Sequence, residues 1–132
     1  MAPSLICPCG SKRDYDKCCK PFHKGDALPE TAEQLMRSRY SAFAKAEITY
    51  LKDTYWPKFQ HSFDEAGYHA RATNSTWLGL EILAHDGGGA ADTTATVTFV
   101  ATSLTNGTYD KHKEQSLFKK KAGRWYYVEP IA

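Results

Sequence analysis

Four cysteines fall within thirteen residues of this chain, as Cys7-Pro8-Cys9, an eight-residue spacer, and Cys18-Cys19. Thiols one or two positions apart have little freedom to reach the torsion that a disulfide requires. Four soft sulfur ligands instead match the tetrahedral shell of a zinc ion. Gly10 and Ser11 allow the tight turn needed to wrap a small cation, and Tyr15 supplies an apolar lid for a segment too short to have a core. Iron–sulfur ligation is the alternative for such a cluster, but this tight spacing suits a single ion better. The expectation is one structural zinc held by Cys7, Cys9, Cys18 and Cys19, with a closed shell and no catalysis at the metal.

The run Cys7-Pro8-Cys9-Gly10-Ser11, with Tyr15 and Cys18-Cys19, resembles the SEC-C zinc knuckle known from the tail of the SecA translocase and from many small bacterial proteins. That family often has Gly-Lys-Lys after the serine. Here Lys12-Arg13-Asp14 follows, with Asp16 beyond, so this knuckle is less basic. Residues 1–25 still carry Lys12, Arg13, Lys17, Lys20 and Lys24 against two aspartates, and Lys119, Lys120, Lys121 and Arg124 form a second basic run. The net charge of the chain is only +2. A nucleic-acid or ribosome contact through the knuckle, with Tyr15 or Phe22 stacking, therefore ranks third among the functions considered.

Pro21, Gly25 and Pro29 mark a linker, which divides the chain into a knuckle over 1–25 and a second domain over 30–132. Thr31 and Gln34 have capping-box spacing and start a helix. Leu35, Met36, Tyr40, Phe43 and Ala44 give that helix an apolar face, with Arg37, Ser38 and Arg39 beside it. Further helices are expected over 47–55 and 62–72. Strands are expected over 77–85, 93–104, 109–119 and 124–128, separated by glycine-rich turns that include the hairpin signal Asn106-Gly107. Helices followed by a four-stranded antiparallel meander make an α+β fold.

Leu35-Met36-Arg37-Ser38-Arg39-Tyr40-Ser41-Ala42-Phe43, Trp77-Leu78-Gly79-Leu80, Phe99-Val100-Ala101, the spaced Glu114, Ser116 and Phe118, and Gly123-Arg124-Trp125-Tyr126-Tyr127-Val128 together resemble the YchJ family. The resemblance covers nearly the whole chain. It implies a SEC-C knuckle followed by a domain similar to nuclear transport factor two, in which helices pack on a curved sheet to form a cone. Related cones commonly dimerise through the outer sheet face, so a homodimer is a further implication. Many members add a second knuckle, whereas the four cysteines here provide for one.

The family is tied to no established reaction, so the residues must supply the chemistry. Strand alternation places His112, Glu114, Ser116 and Phe118 on one face, and Phe118 turns that face inward. His112 and Glu114 then lie on the concave side, opposite the helix bearing Arg37 and Arg39. An Arg37–Glu114 pair stapling helix to sheet is expected there, because either charge buried alone would be costly. His112 beside a carboxylate is also a candidate acid or base. Met36, Arg37, Tyr40, Tyr50, Trp56, Trp77, His112, Glu114 and Trp125, with Tyr127, are candidates to line a pocket, while His23, His61, His69 and His85 are expected to be exposed. No phosphate loop or nucleophile–base arrangement is recognisable.

These features favour a binding module: the cone holds a small ligand or protein segment, and the knuckle docks to a partner. The alternative is a small isomerase or hydrolase with His112 or Glu114 as base and Arg37 or Tyr40 as electrostatic helper. No window approaches the length of a membrane span, and the start has neither a basic n-region nor an apolar stretch. A cytoplasmic protein is the expectation.

Overall fold

The computed structural model describes residues 6–132; residues 1–5, the start of the expected knuckle domain, lie outside the described residues. The knuckle holds a single turn of 3-10 helix, Tyr15–Lys17, and a short helix α1, Lys20–Lys24. Four more helices follow: α2 (Ala32–Lys45), α3 (Ile48–Asp53), α4 (Pro57–Gln60) and α5 (Glu65–Asn74). The strands β1 (Ser75–Gly87), β2 (Thr94–Thr105), β3 (Thr108–Lys121) and β4 (Arg124–Pro130) form one antiparallel sheet in the order β1-β2-β3-β4. The α+β cone of helices on a four-stranded meander is as expected. Among the described residues, no helix is long and apolar enough to cross a membrane.

Local chemistry explains the helix starts. Thr31 accepts from the Gln34 amide at 3.1 Å, while the Gln34 side chain accepts from the amide of Glu30, one residue earlier than a reciprocal box would place it. Asp64 caps α5 through the Gly67 amide at 3.0 Å, which moves that helix two to three residues beyond its expected span. Pro57 opens α4, since a first-turn proline forfeits no needed N–H. Asn106-Gly107 and Ala122-Gly123 both have positive φ, the signature of tight hairpin turns.

Curvature comes from β1. Its pairing with β2 slips between Trp77 and Gly79 and again between Ile82 and Ala84. Such bulges bend a strand and raise its twist. Tyr40 on α2 stabilises the first: its hydroxyl accepts from the Gly79 amide at 2.8 Å and reaches the Thr102 carbonyl at 3.4 Å. The sheet thus wraps α2. Its core unites Leu35 and Met36 with Val97, Phe118 and Trp125, and the Trp125 indole donates to the Glu30 carbonyl at 3.2 Å.

Candidate functional site

Two places concentrate chemistry: the cysteine cluster and a cavity inside the cone. The cluster is built by short-range bonds. The Cys7 amide donates to the Arg13 carbonyl at 2.8 Å, closing the loop, and the Cys18 amide donates to Tyr15 at 3.0 Å, ending the 3-10 turn. All four sulfurs lie within 4.8 Å of one another, with Cys9 to Cys18 at 3.6 Å. Four thiolates around a tetrahedral ion with metal–sulfur bonds of about 2.3 Å stand about 3.8 Å apart. The cluster can therefore hold one metal ion. As bare thiols Cys9 and Cys18 are badly matched: hydrogen bonds from Cys19 and Cys7 lower Cys9, while burial raises Cys18 to about 11. A divalent cation removes that conflict by stabilising thiolates together.

The knuckle is fastened to α2. Arg37 Nη1 donates to the Cys9 carbonyl at 2.7 Å, Cys7 Sγ lies 3.5 Å from Ser41 Oγ, and the Lys45 ammonium sits 4.6 Å from the Tyr15 ring centre. Gly10 has φ +83° and sits where a Cβ would come within 2.6 Å of the Leu80 carbonyl, so only glycine permits this approach. His23, expected to be exposed, is instead half-buried: its Nε2 donates to the Ser38 carbonyl at 2.8 Å and its Nδ1 accepts from the Tyr15 hydroxyl at 2.7 Å. Burial lowers its pKa, so the ring is neutral. His61, His69 and His85 are exposed as expected.

The cavity has a volume of about 560 Å³ and opens between α2, α5 and the sheet. Its walls are Met36, Tyr40, Phe43, Trp77 and Phe99, and Asp110, His112, Glu114 and Tyr127 form a polar side. His112 and Glu114 face inward on β3, opposite Ala101 and Phe99 of β2, as alternation requires. Glu114 collects three donors: His112 Nε2 at 2.9 Å, the Tyr127 hydroxyl at 3.2 Å, and Ser116 Oγ in a short bond. Burial pushes its pKa up, but the hydrogen bonds from Ser116, His112 and Tyr127 outweigh burial and hold it below the usual 4.5.

That network has a pH signature. Because the folded pKa lies below the unfolded one, the stabilisation is complete above the unfolded value and is lost as pH falls through the folded value. Glu114→Gln should cost about 1 kcal/mol at pH 7 by urea unfolding, and the gap to wild type should shrink below pH 4.5. A pH-independent gap would show that the charge on Glu114 contributes nothing.

Several expected pocket residues lie elsewhere. Arg37 does not reach Glu114: its Nε pairs with Glu33 at 3.1 Å, one turn back on α2. The helix-to-sheet staple is therefore absent. Tyr50 turns to the far side of α2, where its hydroxyl meets Ser38 at 2.7 Å. Trp56 packs edge-on against Tyr126, and Trp125 is consumed by the core. Tyr40 lines the cavity, but its hydroxyl is engaged by the β1 bulge rather than free for catalysis.

The residue missed is Arg39. Only 4% exposed, it lines the cavity floor, with Nη1 donating to the Leu51 carbonyl at 2.8 Å and to Thr54 Oγ1 at 2.7 Å. Its guanidinium lies 4.6 Å from the Tyr127 ring centre. Helical phase carries the signal: Arg39 is four residues from Leu35 and three from Met36, in the middle of the apolar stripe, whereas Arg37 falls outside it.

A family profile described as "YchJ, middle NTF2-like domain" matches residues 31–130. A UPF0225 protein of Geobacter sulfurreducens is 44% identical over 94% of this chain and 77% of its own length. A UPF0225 protein of Ralstonia nicotianae is 42% identical over 97% of this chain and 92% of its own length. Among solved structures, a SEC-C motif containing protein from Rhodopseudomonas palustris aligns with a TM-score of 0.88 at 35% identity, covering 97% of this chain and 98% of that one. A SEC-C motif containing protein from Psychrobacter arcticus aligns with a TM-score of 0.82 at 30% identity, covering 98% and 82%.

Proposed function

The chain belongs to the YchJ family, the UPF0225 proteins, and from that premise we propose that it is a small-ligand binding protein whose cone is the receptor. The knuckle serves as the docking element toward a protein partner. The observation that carries this reading is the cavity: about 560 Å³, walled by aromatic and apolar side chains, with a few polar groups converging at one side. That is the volume and lining of a small-molecule site.

The metal is zinc. Four thiolates at tetrahedral spacing favour it over harder cations, and the four cysteines leave no open coordination position. Its role is to hold the knuckle in shape. Four thiolates gathered as metal ligands suit a reducing compartment, which supports a cytoplasmic location.

A second reading rests on the His112–Glu114 bond. With Nε2–H donated to an ionised Glu114, Nδ1 is left as a proton acceptor at the cavity edge, which is an acid–base arrangement without a nucleophile. Binding ranks first because Ser116 and Tyr127, the hydroxyls nearest Glu114, are spent on it.

The test is a titration of the 15N-labelled protein with a small set of fragments, each an aromatic or short alkyl body in neutral and charged forms. Shifts that saturate and cluster on Tyr40, Phe43, Trp77, Phe99 and His112 are expected. A set that leaves those signals unmoved would overturn the cavity as a receptor.

A further inference from the structure

The cavity floor is a cation without a counter-ion. Arg39 is 4% exposed, and a guanidinium carries five N–H donors and no acceptor. Its Nη1 is engaged by Leu51 and Thr54. Nε and Nη2 have no partner among the described residues, yet no buried side-chain nitrogen or oxygen is left unpaired. Those two nitrogens must therefore touch open space, and the space Arg39 lines is the cavity. The described ion pairs use Lys20, Arg37, Lys52, His85 and His112 and leave Arg39 out. Tyr127 and Tyr55 flank the guanidinium with ring faces, which stabilise a cation but do not neutralise it.

A buried charge without a paired opposite charge is expensive. Two carboxylates line the same cavity, Glu114 and Asp110. The oxygens of Glu114 are taken by Ser116, Tyr127 and His112, and Asp110 is exposed and takes no part in the described ion pairs. The opposite charge must come from outside. The free edge formed by Nε–H and one Nη2–H is planar, with two parallel donors, and it matches the two oxygens of a carboxylate. Around it stand Met36, Tyr40, Phe43, Trp77 and Phe99, which offer contact to an apolar body and few hydrogen bonds.

We infer that the cone takes an organic carboxylate with an aromatic or alkyl body, its carboxylate bound side-on to the Nε–Nη2 edge of Arg39 and its body packed against Phe43 and Trp77. This deepens the proposed receptor function and rests on it. The polar side of the cavity, with His112 and Asp110, is left for whatever hydrophilic group the ligand carries at its other end.

The matched pair of 4-phenylbutyrate and its neutral amide, 4-phenylbutanamide, decides the matter. Both fit the apolar walls, and they differ in the charge presented to Arg39. The acid should bind at least about tenfold more tightly than the amide, the difference that one desolvated charge-assisted pair supplies. On wild-type protein, the acid should shift the Arg39 Nε–H resonance and the amide should leave it in place. In Arg39→Lys, which keeps a cation but loses the fork, the acid should weaken about tenfold while the amide is unchanged. Should that variant fail to fold, the wild-type Nε–H measurement stands alone. Equal binding of acid and amide on the cavity signals would overturn the carboxylate assignment and leave the receptor intact. Binding of neither would overturn both.

Discussion

Removing the metal that the four cysteines can hold should lower the stability of the cone as well as that of the knuckle. Metal analysis of the purified chain should give one zinc, and a native mass spectrum should show a single bound ion. After chelation, thermal unfolding of the cone should move down by about 10 °C, which corresponds to a loss of about 2–4 kcal/mol. The size follows from what the knuckle touches. Without the ion, the four thiols no longer hold a common centre, and a segment with almost no core of its own unravels. With it go the Arg37 bond to the Cys9 carbonyl, the His23 bond to the Ser38 carbonyl and the Tyr15 cover over Lys45, each worth about 1 kcal/mol. Cys9→Ser should reproduce the effect, because Cys9 is fully buried and its sulfur lies 3.6 Å from that of Cys18. A cone whose unfolding temperature is unmoved by chelation would show that the knuckle is tethered to α2 without stabilising it.

How far the sequence foretells this architecture depends on how local each determinant is. The knuckle is legible because its ligands, its turn and its closing hydrogen bonds lie between Cys7 and Cys19. The hairpins are legible because Asn106-Gly107 carries its backbone conformation in its composition. The inward turn of His112 and Glu114 follows from Phe118, which shares their parity and is fully buried. Other determinants are set at a distance. Trp56, Tyr50 and Trp125 are all aromatic and all partly or wholly buried, but what each packs against depends on where α3, α4 and β4 come to rest. The bulges that curve β1 leave no mark in its residue types except Gly79, and the hydroxyl that stabilises one of them comes from Tyr40, thirty-nine positions away. The exchange of Arg37 for Arg39 has a different origin. Two arginines one residue apart on a helix invite reading the first as the buried one, while the helical wheel places the second among Leu35, Met36 and Phe43.

Replacing Arg39 should therefore be far more damaging than replacing Arg37, although the two are separated by a single residue. Arg37→Ala loses a half-exposed pair within α2 and one bond to the knuckle, and should cost about 1 kcal/mol. Arg39→Met keeps most of the volume and removes the donors that join α2 to the end of α3, leaving the Leu51 carbonyl short of its strong partner; about 2–3 kcal/mol is expected. Arg39→Ala adds a void beside Tyr127 and should reach about 4 kcal/mol. Urea unfolding of the three variants against wild type measures all of these on one scale. The order also separates two roles for the same side chain. If Arg39 served stability alone, Met would recover most of the loss, as buried ion networks often allow. The bonds made by Nη1 are structural, and the unengaged Nε–Nη2 edge is not, so a variant that recovers stability should still lose the preference for carboxylates. Equal costs for Arg37→Ala and Arg39→Ala would mean that the guanidinium of Arg39 reaches water, and the cation on the cavity floor would no longer stand.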